Sequence, residues 1–181
     1  MVRFIGIDPG LSGGIAFIED EGEEIHPGGM AVKTRREIVT TIMPIVSTGK
    51  KRVLDNLTLS SIFSGYDPVN CYTILEQQQA MPKQGVVSMM SIGYGFGALK
   101  QCLVDFAIPH EVVRAQVWQK EFGISGRKGN TKTQALQICQ SVFPDLNLLA
   151  TERSKKPHEG IVDAVLIAEY GRRNYGGTAK K

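Results

Sequence analysis

The stretch Ile161-Val162-Asp163-Ala164-Val165-Leu166-Ile167-Ala168 reads as a helix that is apolar almost all round. Such a helix is stable only when other elements cover most of its circumference, so the chain must fold in layers around it. One residue breaks the apolar run. An ionised carboxylate at Asp163 would cost several kcal/mol in those surroundings unless it is paired or bound to metal. The alternatives are therefore a metal site or a buried ion pair with an arginine.

The first layer is set at the N-terminus. Phe4-Ile5-Gly6-Ile7 is a short apolar run that stops abruptly at Asp8-Pro9-Gly10, the pattern of a strand buried on both faces and followed by a turn. After Ser12-Gly13-Gly14, Ile15-Ala16-Phe17-Ile18 reads as a second strand, close enough to form a hairpin. A weaker third strand lies near Ile25. Cys71-Tyr72-Thr73-Ile74-Leu75 is β-branched and aromatic and ends on Glu76, repeating the arrangement of a strand that stops at an acid.

Between these strands, Thr34 and Glu37 form a capping box. It predicts a helix with Ile38, Ile42, Ile45 and Val46 on one face, kinked or shortened at Pro44. Residues 53–63 read as helical too. Beyond Glu76, helices are expected from Val86 to Phe106, Gln116 to Phe122, Thr131 to Phe143 and Glu159 to Arg172, with a short strand at Val112-Val113. A hairpin followed by strands that alternate with helices is an α/β fold, a mixed sheet sandwiched by helices.

With 181 residues and no spacer or repeat, one compact domain is expected. No signal peptide or bilayer-length apolar stretch is read, so a soluble intracellular protein is expected, in a bacterial or phage-infected cytoplasm or an organelle. Cys71, Cys102 and Cys139 are odd in number, far apart and in apolar settings, which predicts buried reduced thiols. The net charge of +3 is small, but basic residues concentrate in Arg114 to Lys132, Arg153 to Lys156 and the tail from Arg172. These clusters are either solvated surface or a phosphate-binding face.

If the first strand is central and the strand ending at Glu76 lies parallel beside it, Asp8 and Glu76 end on the same edge. Two neighbouring carboxylates repel unless a cation lies between them, and Mg²⁺ prefers such all-oxygen sites. Each acid alone is also an ordinary turn residue. Glu159 lies one turn before Asp163, either as a further site group or as a helix N-terminal acid favoured by the macrodipole. His158 follows Pro157 in a basic loop, where it is suited to contact phosphate, bind metal or shuttle a proton. His26 and His110 have no such company and read as structural.

Taken together, IGIDPGLSGGIAFI, LEQQ and HEGIVDAVLIAEYG resemble the three acidic motifs of the RuvC-type Holliday junction resolvases of the ribonuclease H-like superfamily. The segment Gly123 to Gln134 resembles that family's glycine-and-lysine DNA-binding loop, and Val117-Trp118-Gln119-Lys120 has a counterpart as well. Ser91 to Gly97 is similar to the glycine-rich helix of the phage and chloroplast branches. Many relatives carry an acid or histidine three residues before the final acid, where this chain has Gly160.

The resemblance implies a ribonuclease H-like five-stranded mixed sheet over residues 1–174, with residues 175–181 as a basic, flexible tail. It implies a crossover junction endodeoxyribonuclease acting on four-way branched DNA as a homodimer. Asp8, Glu76 and Asp163 would hold two Mg²⁺ or Mn²⁺ ions, with His158 or Glu159 completing the site. Lys120, Arg127, Lys128 and Lys132 are the implied phosphate contacts, and Gln77, Gln78 and Met81 the groups that probe or wedge bases at an opened junction. The stripe Met89, Ile92, Phe96, Leu99 and Leu103 is either core or dimer contact. Competing readings are a YqgF-like nuclease acting on RNA and an actin or sugar-kinase-like ATPase; the latter needs two such phosphate hairpins, and this chain has one.

Overall fold

The structure, a computed structural model, describes residues 2–20, 23–25, 31–33, 37–49, 51–80 and 82–176. His26, Thr34, Met81 and residues 177–181 lie outside the described residues. Strands β1 (Val2–Asp8) and β2 (Gly14–Asp20) form the expected hairpin, closing with Asp8 opposite Gly14. Strand β8 (Cys71–Glu76) runs parallel to β1, with Ile7 beside Leu75, and β9 (His110–Val113) runs parallel to β8. Strand β5 (Glu37–Ile42) completes a five-stranded mixed sheet of order β5-β2-β1-β8-β9.

Residues 37–54 overturn an expectation. The capping-box helix does not form: Glu37–Ile42 pairs antiparallel with β2 over its whole length, and Ile45–Thr48 (β6) pairs with Lys51–Leu54 (β7) in a separate hairpin. The run Ile38-Val39-Thr40-Thr41-Ile42 is entirely β-branched, stiff at χ1, and an open edge of β2 was available to it. The spacing of Ile38 and Ile42 satisfies a period of two as well as a helical one. The helix expected over 53–63 starts only at Asn56, where the Asp55 carboxylate accepts from the Thr58 amide (3.1 Å), and runs as α1 (Asn56–Ser64). The strand near Ile25 exists as β3 (Glu23–Ile25), but it pairs with β4 (Ala31–Lys33) outside the main sheet.

Helices cover both faces of the sheet. On one face α5 (Glu159–Tyr175) lies across β1 and β2 with α3 (Ala115–Glu121) and α4 (Thr131–Val142) beside it, in a core containing Phe4, Ile74, Trp118 and Cys139. On the other, α1 and α2 (Val86–Asp105) pack with Ile5, Ile7, Ile15, Phe17 and Leu75. The alternation along β1 therefore puts Phe4, Gly6 and Asp8 on the α5 face, and that along β8 puts Ile74 and Glu76 there too. The three cysteines are buried and free, as expected.

The buried character read for residues 161–168 holds: from Gly160 to Gly171 every residue of α5 is buried except Asp163, which is partly so. Its closeness to β1 depends on Gly6. A Cβ there would lie 2.1 Å from the Ala164 carbonyl oxygen and 2.3 Å from the Ala168 nitrogen, both backbone atoms that cannot yield. Helix α5 continues through Tyr175, whose ring stacks on Tyr72 at 4.4 Å, so the first residue assigned to the tail belongs to the helix.

Candidate metal centre

Asp8, Glu76 and Asp163 reach the same edge of the sheet from three elements. Asp8 ends β1, Glu76 ends the parallel neighbour β8, and Asp163 projects from the helix laid across them. The charges feel one another. Burial pushes the Glu76 carboxyl up to about 7, opposed by the Trp118 hydrogen bond and reinforced by Asp8. Burial likewise pushes Asp163 up to about 7, with repulsion from Asp8, Glu76 and Glu159 adding to it and Lys132 opposing. Asp8 is raised by burial as well, against the Gly10 amide (3.4 Å from its Oδ1), His158 and Lys132.

A second buried acid on α5 shows what a structural carboxylate looks like. Glu169 is 1 % exposed, yet hydrogen bonds from Arg172 (2.7 and 2.9 Å) and Arg173 (2.9 Å) outweigh the cost of burial and hold it below its usual range. The arginine pairing weighed for Asp163 is thus realised six residues later. Asp163 itself has no arginine partner among the described residues.

The three acids offer carboxylate oxygens, partly buried and mutually repelling, which is the chemistry a hard divalent cation satisfies. The donor chemistry, and not a closed geometry, suits such an ion. Among the described residues no three acidic, imidazole or thiol groups are already closed on a common point, so the site is a gathering of acids rather than a finished cage.

Two groups hold this arrangement in place. The Trp118 indole donates from Nε1 to Glu76 Oε2 at 2.7 Å, fixing the carboxylate from α3. Sequence reading assigned Trp118 no role at the site, because the pairing spans 42 positions and has no local signature. His158 caps α5: its Nδ1 accepts from the Ile161 amide at 3.3 Å while its own amide donates to the Leu148 carbonyl at 2.8 Å. In the neutral ring this cap places the proton on Nε2, a tautomer inferred from the hydrogen bond.

Of the remaining residues singled out from sequence, Glu159 is ion-paired with Lys132, both heavily exposed. Lys132 is in the first turn of α4, whose N-cap Asn130 accepts from the Lys132 amide at 2.9 Å. A cleft of about 270 Å³ extends from there to Asp163, with Lys132, Lys156 and Glu159 also in its lining. Lys156 lines it although only its cluster, and not its site role, was read from sequence. Arg127 and Lys120 are exposed on the preceding segment, and Lys128 lies in the same turn. Gln77 follows Glu76 directly, its amide on the Val113 carbonyl (2.8 Å) and its side chain accepting from Arg114 (3.4 Å); Gln78 is partly buried beside it.

Two measurements follow from this geometry. Trp118→Phe keeps the ring but removes the donor to Glu76, and metal affinity read by Mn²⁺ titration should fall about 10- to 100-fold, the usual cost of losing a group that orients a ligand. The pH response of the metal-free protein should be inverted relative to most salt-bridged proteins. With Glu76 and Asp163 raised to about 7 from 4.5 and 3.8, the folded chain binds more protons than the unfolded one between those values. Stability therefore rises as pH falls from 8 to 5, by about 2 kcal/mol or roughly 4–8 °C in Tm. A Tm that falls over that range would contradict the burial of these acids.

No protein-family model matches the chain, and no curated protein does. Solved structures do. The Thermus thermophilus RuvC structure superposes with a TM-score of 0.58 at 14 % identity, covering 98 % of this chain and 96 % of that one. T. thermophilus RuvC in complex with Holliday junction substrate superposes with a TM-score of 0.55 at 12 % identity over the same shares. The chain thus has a RuvC-like, ribonuclease H-like α/β fold, as its sequence led us to expect. Among the described residues no helix is long and apolar enough to cross a membrane.

Proposed function

We propose that this protein is a divalent-metal-dependent endonuclease that resolves four-way DNA junctions. The observation that carries the reading is the convergence of Asp8, Glu76 and Asp163, from three separate elements, at one edge of a RuvC-like sheet, with no arginine among the described residues to neutralise Asp163. Asp8, Glu76 and Asp163 would hold two Mg²⁺ or Mn²⁺ ions. Bound there, the ions would lower the pKa of a water that attacks the phosphodiester and stabilise the departing 3′ oxygen, leaving 5′-phosphate and 3′-hydroxyl ends.

The chain's own groups do the rest. Trp118 orients Glu76 through its indole hydrogen bond. His158, with Nδ1 engaged by its cap, presents an Nε2 proton and suits donation to a phosphate oxygen better than removal of a proton from water. Glu159 borders the acids, and its pairing with Lys132 sets a cation at the rim. Lys120 on α3, Arg127 and Lys128 in the turn before α4, and Lys132 in its first turn supply the phosphate contacts. Gln77, Gln78 and Met81 follow Glu76 and are assigned to the bases at the junction centre.

Two opposed strands must be cut, so the working unit is a symmetric pair of chains. The expected stripe on α2 divides: Leu99 and Leu103 are core, and Met89, Ile92 and Phe96 are partly covered. Val86, Met90 and Tyr94 on the same helix are instead 76 %, 78 % and 63 % exposed, an apolar face suited to a second copy. The deciding experiment compares Mg²⁺-dependent cleavage of a synthetic four-way junction with that of a linear duplex. Selective, paired incision of the junction is expected; equal cutting of both would reduce the protein to a general nuclease.

A further inference from the structure

The β6–β7 hairpin is joined to the catalytic edge, and nothing in the metal chemistry accounts for it. Its entry is tied to the β1–β2 turn: Ile42 pairs with Gly14, itself opposite Asp8, and the Met43 amide donates to the Gly13 carbonyl at 3.0 Å. Its exit is tied to its entry, the Asp55 amide donating to the Pro44 carbonyl at 3.0 Å. Leu54 is buried at its root among the residues packed with α2. Three residue steps of about 3.3 Å carry the turn roughly 10 Å from that root.

The tip is built for charge. Thr48 pairs with Lys51, Gly49 after Thr48 has φ +63°, and the sequence Lys50-Lys51-Arg52 is three consecutive cations. No acid occurs between Ile45 and Leu54, and the next one, Asp55, is engaged by the Thr58 hydroxyl at 2.7 Å and by its amide. Lys51 and Arg52 are exposed, and neither has an ion pair among the described residues. Because side chains alternate along a strand, they lie on opposite faces of the ribbon.

We propose that the β6–β7 hairpin is a second DNA-binding element, a basic ribbon seated between two phosphate backbones of DNA laid across the catalytic edge. The α4 loop with Lys132 and this hairpin stand on opposite faces of the sheet, with the acids between them. DNA crossing the edge is therefore held from both sides. The two backbones belong either to converging arms of a branched molecule or to the walls of one duplex groove, which admits a two-stranded ribbon. The inference rests on the proposed function only in taking DNA as the ligand.

The test is equilibrium binding without divalent metal, by fluorescence anisotropy over a salt series, on a four-way junction and a linear duplex of the same arm sequence. Each of Lys51→Ala and Arg52→Ala should lower the slope of log affinity against log salt by about 1, and the double variant by about 2, with affinity down about tenfold or more. Val69→Asp changes net charge by one unit at an exposed site at the opposite end of β8 from Glu76, and should leave the slope unchanged. A larger loss on the junction assigns the ribbon to the gap between arms; an equal loss assigns it to a groove. A double variant with the wild-type slope, or single variants no different from Val69→Asp, overturns the proposal, as does a wild-type protein that binds neither DNA. Wild-type protein that binds but never cleaves removes the nuclease reading and leaves the hairpin to be judged by its slope.

Discussion

Asp163→Asn should abolish junction cleavage, by roughly a thousandfold or more, while the metal-free protein becomes more stable and junction binding is retained. Several kcal/mol of transition-state stabilisation is what a bound ion supplies, and three orders of magnitude in rate correspond to about 4 kcal/mol. The stability change has the opposite sign because burial, with repulsion from Asp8, Glu76 and Glu159 added to it, pushes the wild-type carboxyl up to about 7. Asn has nearly the same shape and no charge to desolvate, so at pH 8 the variant should gain about 1–2 kcal/mol. Asp8→Asn and Glu76→Gln should lose cleavage in the same way. Measured together, single-turnover rates and melting curves separate a site residue from a structural one: substitution at Glu169, which is paired with Arg172 and Arg173, should destabilise. Retained cleavage in any of the three site variants removes that residue from the metal centre.

Gly160→Ala should cost about 3 kcal/mol or more, a fall of roughly 6–12 °C in Tm, although Ala is favoured over Gly by about 1 kcal/mol inside a helix. The added Cβ would lie 2.4 Å from the Gly13 carbonyl carbon and from the Ser12 carbonyl oxygen, and 2.5 Å from the Gly13 Cα. All three are backbone atoms of the turn that follows Asp8, so the start of α5 must lift away from β1, taking Asp163 with it. Gly160→Asp, which restores the acid found there in many resolvases of the family this chain resembles, should be at least as destabilising and should not improve cleavage. Differential scanning calorimetry of the two variants checks this; a Tm within about 2 °C of wild type would show that the turn can give way, and would reopen position 160 as a ligand position.

Position 160 also marks how far the sequence can be read. The absence of the acid or histidine that many relatives carry there was visible, and it left His158 and Glu159 as the candidates for completing the site. The reason for the absence was not visible, because it is the packing of α5 against residues about 150 positions earlier. Residues 37–54 failed differently. Their capping box and helical spacing were local signals, and the unpaired edge of β2 outweighed them. That error also hid the basic hairpin, since Lys51 and Arg52 then fell in the connection between two expected helices and not on a strand tied to the turn after Asp8.

What the sequence alone determined were the features written in contiguous residues: two apolar strands that stop at Asp8 and Glu76, a helix too apolar to be anything but buried, and a carboxylate inside it that needs a partner. Burial cost and side-chain periodicity act over a few residues, so they are legible there. Tertiary structure alone decided which partner each group has. It set Trp118 on Glu76 and arginines on Glu169 but, among the described residues, none on Asp163, and it packed Gly160 against the turn after Asp8. Those choices depend on contacts between distant segments, whose geometry exists only once the layers have closed around α5.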